Sequence, residues 1–143
     1  MFDFEIRTES LMRARPARVW AALTQDPDWG RWNPFVTRVE GDLTRGSRLE
    51  VEIKPAPGKV SRFRPKVLVA RPEQELRWRG RLWIPGLFSG EHYFRLEVRE
   101  EGTLFTHGER FSGLLVPWVD PTRFLPGFHA LNEGLRASVE RRA

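Results

Sequence analysis

Cysteine is absent from this 143-residue chain, which excludes disulfides, thiolate nucleophiles and cysteine-ligated metal sites. Lysine is scarce: Lys54, Lys59 and Lys66 stand beside a large excess of arginine. No stretch approaches the length of a membrane span. The start, Met1-Phe2-Asp3-Phe4-Glu5, alternates charge and apolarity and lacks the apolar run of a signal peptide. The expectation is a cytoplasmic protein. There is no repeat, low-complexity tract or linker-like stretch, so residues 1–143 are expected to form one domain.

The formal charge of +5 favours an anionic partner in principle. The arginines are spread along the chain and interleaved with glutamate, the pattern of solvated strand faces, which argues against nucleic acid. The aromatic content is the stronger signal. Trp29-Gly30-Arg31-Trp32-Asn33-Pro34-Phe35 puts two indoles on one face of a helical turn, and Asn33-Pro34 then stops that turn. Tryptophan is bulky, seeks burial and wants a partner for its N–H. The segment therefore reads as one wall of an apolar pocket.

The periodicity gives the elements. Residues 2–13 alternate as a strand, with Phe2, Phe4 and Ile6 on one face. Pro16 opens a helix over about 16–24 with Val19, Trp20 and Leu23 as its buried stripe. A second helical turn is expected over about 26–33, with Asp26 as N-cap and Pro27 at its first position. Strand alternation follows in Leu49–Ile53, in Phe63–Val69 with Pro65 marking an edge or bulge, in Leu76–Leu82, His92–Val98 and Phe105–Phe111. Glu101-Gly102 is a tight hairpin signal. Asp120-Pro121 then starts a long amphipathic helix carrying Phe124, Phe128, Leu131, Leu135 and Val139, with Pro126-Gly127 kinking or breaking it near its start. A sheet apolar on one face needs cover, and this helix supplies it.

Arg18-Val19-Trp20-Ala21-Ala22-Leu23, Trp29-x-x-Trp32-Asn33-Pro34 and Thr103-x-Phe105-Thr106-His107-x-Glu109-x-Phe111-x-Gly113 resemble the START/Bet v 1-like (SRPBCC) superfamily over essentially the whole chain. Within it the likeness is to bacterial proteins of the polyketide cyclase/dehydrase type. The resemblance implies an α+β helix-grip fold: a curved antiparallel sheet wrapped around a long C-terminal helix, with two short helices after the first strand. It also implies a deep apolar cavity, and it leaves the activity open.

Phe105, His107, Glu109 and Phe111 share a strand face, which puts an imidazole and a carboxyl between two phenylalanines. Such groups must be paired, neutralised or used. His107 and Glu109 are therefore the candidate catalytic pair, acting as ligand-orienting groups or as general acid and base. The opposing reading is a buried hydrogen bond or ion pair to the gripped helix. His92 shares the apolar set of Phe94 and reaches the same space from the neighbouring strand. Trp29, Trp32, Asn33, Trp78, His92, Phe94, Phe105, Phe111, Phe128 and Leu131 are the expected ligand-binding residues. Asn33 has an alternative role in organising the turn before Pro34. His92, His107 and His129 lack metal-ligand spacing, and no phosphate-cradling glycine loop or dinucleotide fingerprint occurs. No metal or cofactor is expected.

The function expected is binding of an apolar small molecule, such as a lipid, a quinone, or an aromatic or polyketide-like compound. A cyclase or dehydratase using His107 or Glu109 is the alternative. A third reading is a macromolecular interaction module, using the row Arg77, Arg79, Arg81 beside Arg62, Arg64 and Lys66. The apolar loop at 83–88 reads as a pocket lid, a homodimer contact or a partner site.

Overall fold

Alternation over the first residues builds β1 (Phe2–Met12), whose even-numbered side chains turn inward from Ile6 onward. Phe2 and Phe4 share that face but stay exposed, because the sheet's cover does not extend over the start of the strand. The computed structural model describes residues 2–54, 58–82, 86 and 88–141. Pro16 sits in the first turn of α1 (Pro16–Thr24), where its missing N–H costs nothing. The second helix expected over 26–33 shrinks to a single 3-10 turn, Trp29–Arg31. Asp26 does not cap it: its carboxylate accepts from the Asp28 N–H at 2.9 Å in an Asx turn, which delays the helical start. Pro27 O meanwhile accepts from Val39 N at 3.0 Å, tying the loop to the next strand.

The strands then follow as β2 (Val36–Glu40), β3 (Glu50–Ile53), β4 (Ser61–Phe63), β5 (Lys66–Arg71), β6 (Glu75–Leu82), β7 (Phe88–Arg99) and β8 (Gly102–Gly113). One sheet has the order β1-β8-β7-β6-β5 and the other β2-β3-β4. They are one curved surface in practice. Arg48 pairs with Lys66, and Val51 pairs with Phe63 three residues on, so the register runs unbroken from β5 into β4. Pro65 interrupts that strand without shifting it, since proline cannot donate to the ladder. The bulge instead lies between Val67 and Val69, opposite Trp78 and Arg77 of β6.

The chain closes with 3-10 turns at Val116–Trp118 and Pro121–Phe124, leading directly into α2 (Leu125–Glu140). Asp120 caps the second turn through the Thr122 N–H at 3.1 Å. Pro126 falls in the first turn of α2, so the expected break is a change of helix type at Leu125 rather than a kink. Phe128, Leu131, Leu135 and Val139 are buried, and α2 lies against β1, β8 and α1. Two glycines let it approach the loop after α1. A Cβ at Gly134 would overlap the Trp32 carbonyl, and one at Gly127 would meet the Phe35 ring at 2.7 Å. Arg18 on α1 closes the far end of α2 by donating to the Val139 and Arg141 carbonyls at 2.6 Å each. Those carbonyls have no partner inside the helix. Among the described residues no helix is long and apolar enough to cross a membrane.

Candidate functional site

Cross-strand register sets the inner face of the sheet in rows. Trp78, His92, Glu109 and Ile6 form one row across β6, β7, β8 and β1. Leu76, Phe94, His107 and Thr8 form the next, and Gly80, Gly90, Phe111 and Phe4 lie on the other side. The two facing glycines leave a gap in an otherwise filled surface. A pocket of about 230 Å³ opens there, lined by Phe35, Ile53, Phe63, Trp78, Phe88, Phe111 and Phe124, with Ser61, Arg62, Arg81, His92 and Glu109 as its polar members. Gly90 also makes room for chemistry, since a Cβ at that position would overlap the Glu109 carboxyl.

Behind the pocket the polar groups are joined. His92 Nδ1 lies 3.6 Å from Glu109 Oε1. His92 Nε2 and His107 Nε2 are 2.6 Å apart. Their ring planes differ by 11° and their centres are 4.8 Å apart, so the rings meet edge to edge in nearly one plane rather than face to face. Phe128 of α2 stacks on His107 with centroids 4.0 Å apart, and Phe94 packs against both imidazoles at 4.9 Å. His107 Nδ1 is 3.0 Å from Asn132 Oδ1, and Asn132 Nδ2 donates to Thr8 Oγ1 at 2.8 Å.

This setting fixes the charges. Burial holds the Glu109 carboxyl up at about 8, with 18% of its side chain still exposed toward the pocket. Burial, with the neighbouring His107 adding to it, holds His92 well below the usual imidazole range. His107 is pushed down to about 3 by burial, against the opposing effect of hydrogen bonds its ring donates to Asn132 and the Phe128 backbone. At neutral pH the floor of the pocket is a protonated carboxyl beside a neutral imidazole. That pair can donate, accept or exchange one proton with a bound group.

The family model described as polyketide cyclase / dehydrase and lipid transport matches residues 3–141. The chain belongs to that family. Among curated sequences none matches it. Solved structures share the fold at low identity. Protein CV1439 from Chromobacterium violaceum aligns with a TM-score of 0.76 and 22% identity, covering 96% of this chain and 98% of that one. Major latex-like protein 151 from Panax ginseng gives 0.78 and 12%, covering 96% and 97%. The di-domain ARO/CYC protein BexL gives 0.76 and 15%, covering 99% of this chain and 51% of its own two-domain length. These likenesses establish a helix-grip fold of the Bet v 1-like kind for this member of the polyketide cyclase / dehydrase and lipid transport family.

In this family member the structure brings Trp78, His92, Glu109 and Phe111 to the pocket wall. It places His107 one ring behind the pocket, fully buried between His92 and Asn132. Trp29, Trp32, Phe94, Phe105, Phe128 and Leu131 do not line the pocket but pack into the core, and Asn33 lies outside it. Trp29 contacts Trp32, Trp78 and Phe94 with ring centres 5.2–6.2 Å apart, so the indoles fill one end of the interior. Asn33 Oδ1 accepts from Phe35 N at 2.9 Å, the turn-organising role.

Several residues of the site had weaker signals in the sequence. Gly80 and Gly90 are small residues on otherwise bulky faces, and Asn132 interrupts the apolar stripe of α2. Thr8 continues the inward set after Ile6. Phe35, Ile53, Phe63 and Phe88 carry no mark separating a pocket wall from core.

The arginine rows are matched by acids in part, at Arg62, Arg64 and Arg77. Arg62 meets Glu52 at 3.1 Å, and Arg77 meets Glu75 and Glu91 at 2.8 and 2.7 Å. Most of the 83–88 loop lies outside the described residues; its last residue, Phe88, is buried beside Phe111.

Proposed function

We propose that this protein binds a small apolar molecule of one or two rings, or a short acyl segment, in the pocket between the sheet and the start of α2. The observation that carries this reading is an aromatic-walled pocket whose floor holds one carboxyl and one imidazole side by side, 3.6 Å apart. Apolar area supplies affinity in such sites, and a few placed polar groups fix orientation. Its volume, about 230 Å³, favours compact ligands over long lipid chains. The family's description, polyketide cyclase / dehydrase and lipid transport, supports ligands of this apolar class.

Native mass spectrometry of the purified protein, alone and with naphthalene, tests the reading. A one-to-one complex is expected. Gly80→Leu would fill the pocket beside Phe63, whose ring a Cβ at that position would meet at 3.3 Å and push aside, and should abolish the complex while the fold persists. Undiminished binding in that folded variant overturns the proposal.

A second reading has its own support. A carboxyl that keeps its proton up to about pH 8 beside a neutral imidazole is poised for general acid–base work, the chemistry of a cyclase or dehydratase. Glu109→Gln separates the two readings. Binding survives in both, and turnover of a polyketide-like substrate vanishes only if Glu109 is the acid or base.

A further inference from the structure

The groups behind the pocket fix where each proton sits. Thr8 Oγ1 lies 2.8 Å from the His107 backbone carbonyl, which can only accept, so the hydroxyl proton is committed there. The Thr8 oxygen in turn receives Asn132 Nδ2 at 2.8 Å. That orients the Asn132 amide, and its Oδ1 must accept from His107 Nδ1 at 3.0 Å. His107 therefore carries its ring proton on Nδ1, and in the neutral ring Nε2 is bare. The bare nitrogen faces His92 Nε2 at 2.6 Å, so His92 donates from Nε2. Neutral His92 is left with a bare Nδ1, 3.6 Å from Glu109 Oε1. That separation is too long for a hydrogen bond. His92 Nδ1 and the Glu109 carboxyl thus stand side by side on the pocket wall, unspent on each other. An oxygen about 2.8 Å from each would bond to both.

We infer that Asn132 and His107 are positioning residues that hold His92 Nδ1 as an acceptor, so that His92 and Glu109 together seat a hydroxyl group of the ligand. A phenol or enol fits this seat. Its O–H donates to His92 Nδ1, and its oxygen accepts from the Glu109 carboxyl. A methyl ether can accept but cannot donate, and a hydrocarbon does neither. The inference rests on the binding reading above and narrows the ligand to a hydroxylated apolar molecule. The raised Glu109 carboxyl, protonated up to about pH 8, is consistent with its role as donor.

The test is a titration of the intact protein at neutral pH with naphthol, its methyl ether and methylnaphthalene. Naphthol is expected to bind about tenfold tighter than the ether, the worth of one or two hydrogen bonds in a desolvated site. Asn132→Leu should shrink that preference to less than about twofold, because His107 and through it His92 lose their fixed proton positions. A purely structural role for Asn132 would weaken all three ligands together and leave the preference intact, which overturns the assignment. Equal affinities for the three ligands in the unaltered protein overturn the hydroxyl seat and leave the pocket reading standing. Binding of none overturns both. Nitrogen NMR of the histidine rings decides without any variant: His92 is expected with its proton on Nε2 and His107 with its proton on Nδ1. A spectrum showing His92 protonated on Nδ1 refutes the inference.

Discussion

The carboxyl of Glu109 and the ring of His92 face each other at 3.6 Å across neighbouring strands, with Gly90 vacating the space the carboxyl occupies. Neither group is charged at neutral pH in this setting, because burial acts on both. It raises the carboxyl and lowers the imidazole. The pair thus retains one mobile proton where the pocket is lined mainly by aromatic and aliphatic side chains.

Stability should peak near pH 6.5. His92 and His107 are lowered in the folded protein from 6.5, so the unfolded chain binds more protons and stability falls as pH drops below that value. Glu109 works in the opposite sense. Its pKa rises from 4.5 to about 8, so the folded state binds the extra proton and stability declines as pH rises through that window. Below pH 6.5 two histidines outweigh one carboxyl; above it the carboxyl acts alone. The alkaline decline amounts to about 1 kcal/mol between neutrality and pH 8. The remaining charged groups lining the pocket are Arg62, held by Glu52, and Arg81. Thermal melts across pH 5–9 check the curve, and Glu109→Gln should flatten its alkaline limb.

The two glycines flanking the site and the helix should respond differently to an added methyl group. At Gly90 the obstructing atoms belong to the end of the Glu109 side chain, which can swing aside. Gly90→Ala should therefore fold with modest loss of stability and show impaired ligand binding as the carboxyl is driven into the pocket. At Gly134 the obstruction is the Trp32 backbone carbonyl, which cannot move without shifting the loop. Gly134→Ala should cost about 3 kcal/mol, read as a lowered denaturation midpoint. Equal effects at the two positions would contradict this division.

How much of this was legible in the sequence depends on the scale. Period-two and period-three-to-four patterns reported the strands and α2, because those patterns are what burial against one layer imposes. The loop at residues 26–33 misread because Asp26 spends its carboxylate on an Asx turn, a local competition that a capping pattern does not reveal. The site was legible in composition but not in depth. Glu109 and His107 share a strand face, yet Glu109 lines the pocket while His107 is shut behind His92 by Phe128. Which of two residues on one face meets open space depends on what is missing opposite, here the side chains of Gly80 and Gly90. Alternation along one strand carries no record of that absence.

Arg18 should matter more than its exposed position implies. Its guanidinium bridges the Val139 and Arg141 carbonyls at the end of α2, supplying both hydrogen bonds and positive charge where the helix dipole is negative. Arg18→Ala should destabilise the protein by about 1–2 kcal/mol, and Arg18→Lys should recover only part, because an ammonium lacks the planar fork. Hydrogen exchange over residues 136–140 should rise in the alanine variant.

On the outer face, Arg77 is the cation to remove. It donates to Glu75 at 2.8 Å and Glu91 at 2.7 Å, and its guanidinium lies 4.6 Å from the centre of the Tyr93 ring. Burial opposes its charge, but the two carboxylates outweigh that and hold its pKa above the ordinary arginine value. Tyr93 is itself buried, with its hydroxyl on Glu5 and its ring also beside Arg95 at 4.8 Å. Deleting Arg77 would leave Glu75 with only the more distant Arg95, at 3.6 Å, and would remove the ion-pair partner of Glu91. Arg77→Ala should therefore lower stability by about 2 kcal/mol. Arg62→Ala, which removes a side chain 78% exposed, should leave the melting temperature unchanged. Salt sharpens the contrast: the deficit of Arg77→Ala should persist at high ionic strength, because the carboxylates it leaves behind are shielded from solvent. A deficit that disappears in salt would mean that the outer-face network acts as an ordinary surface array.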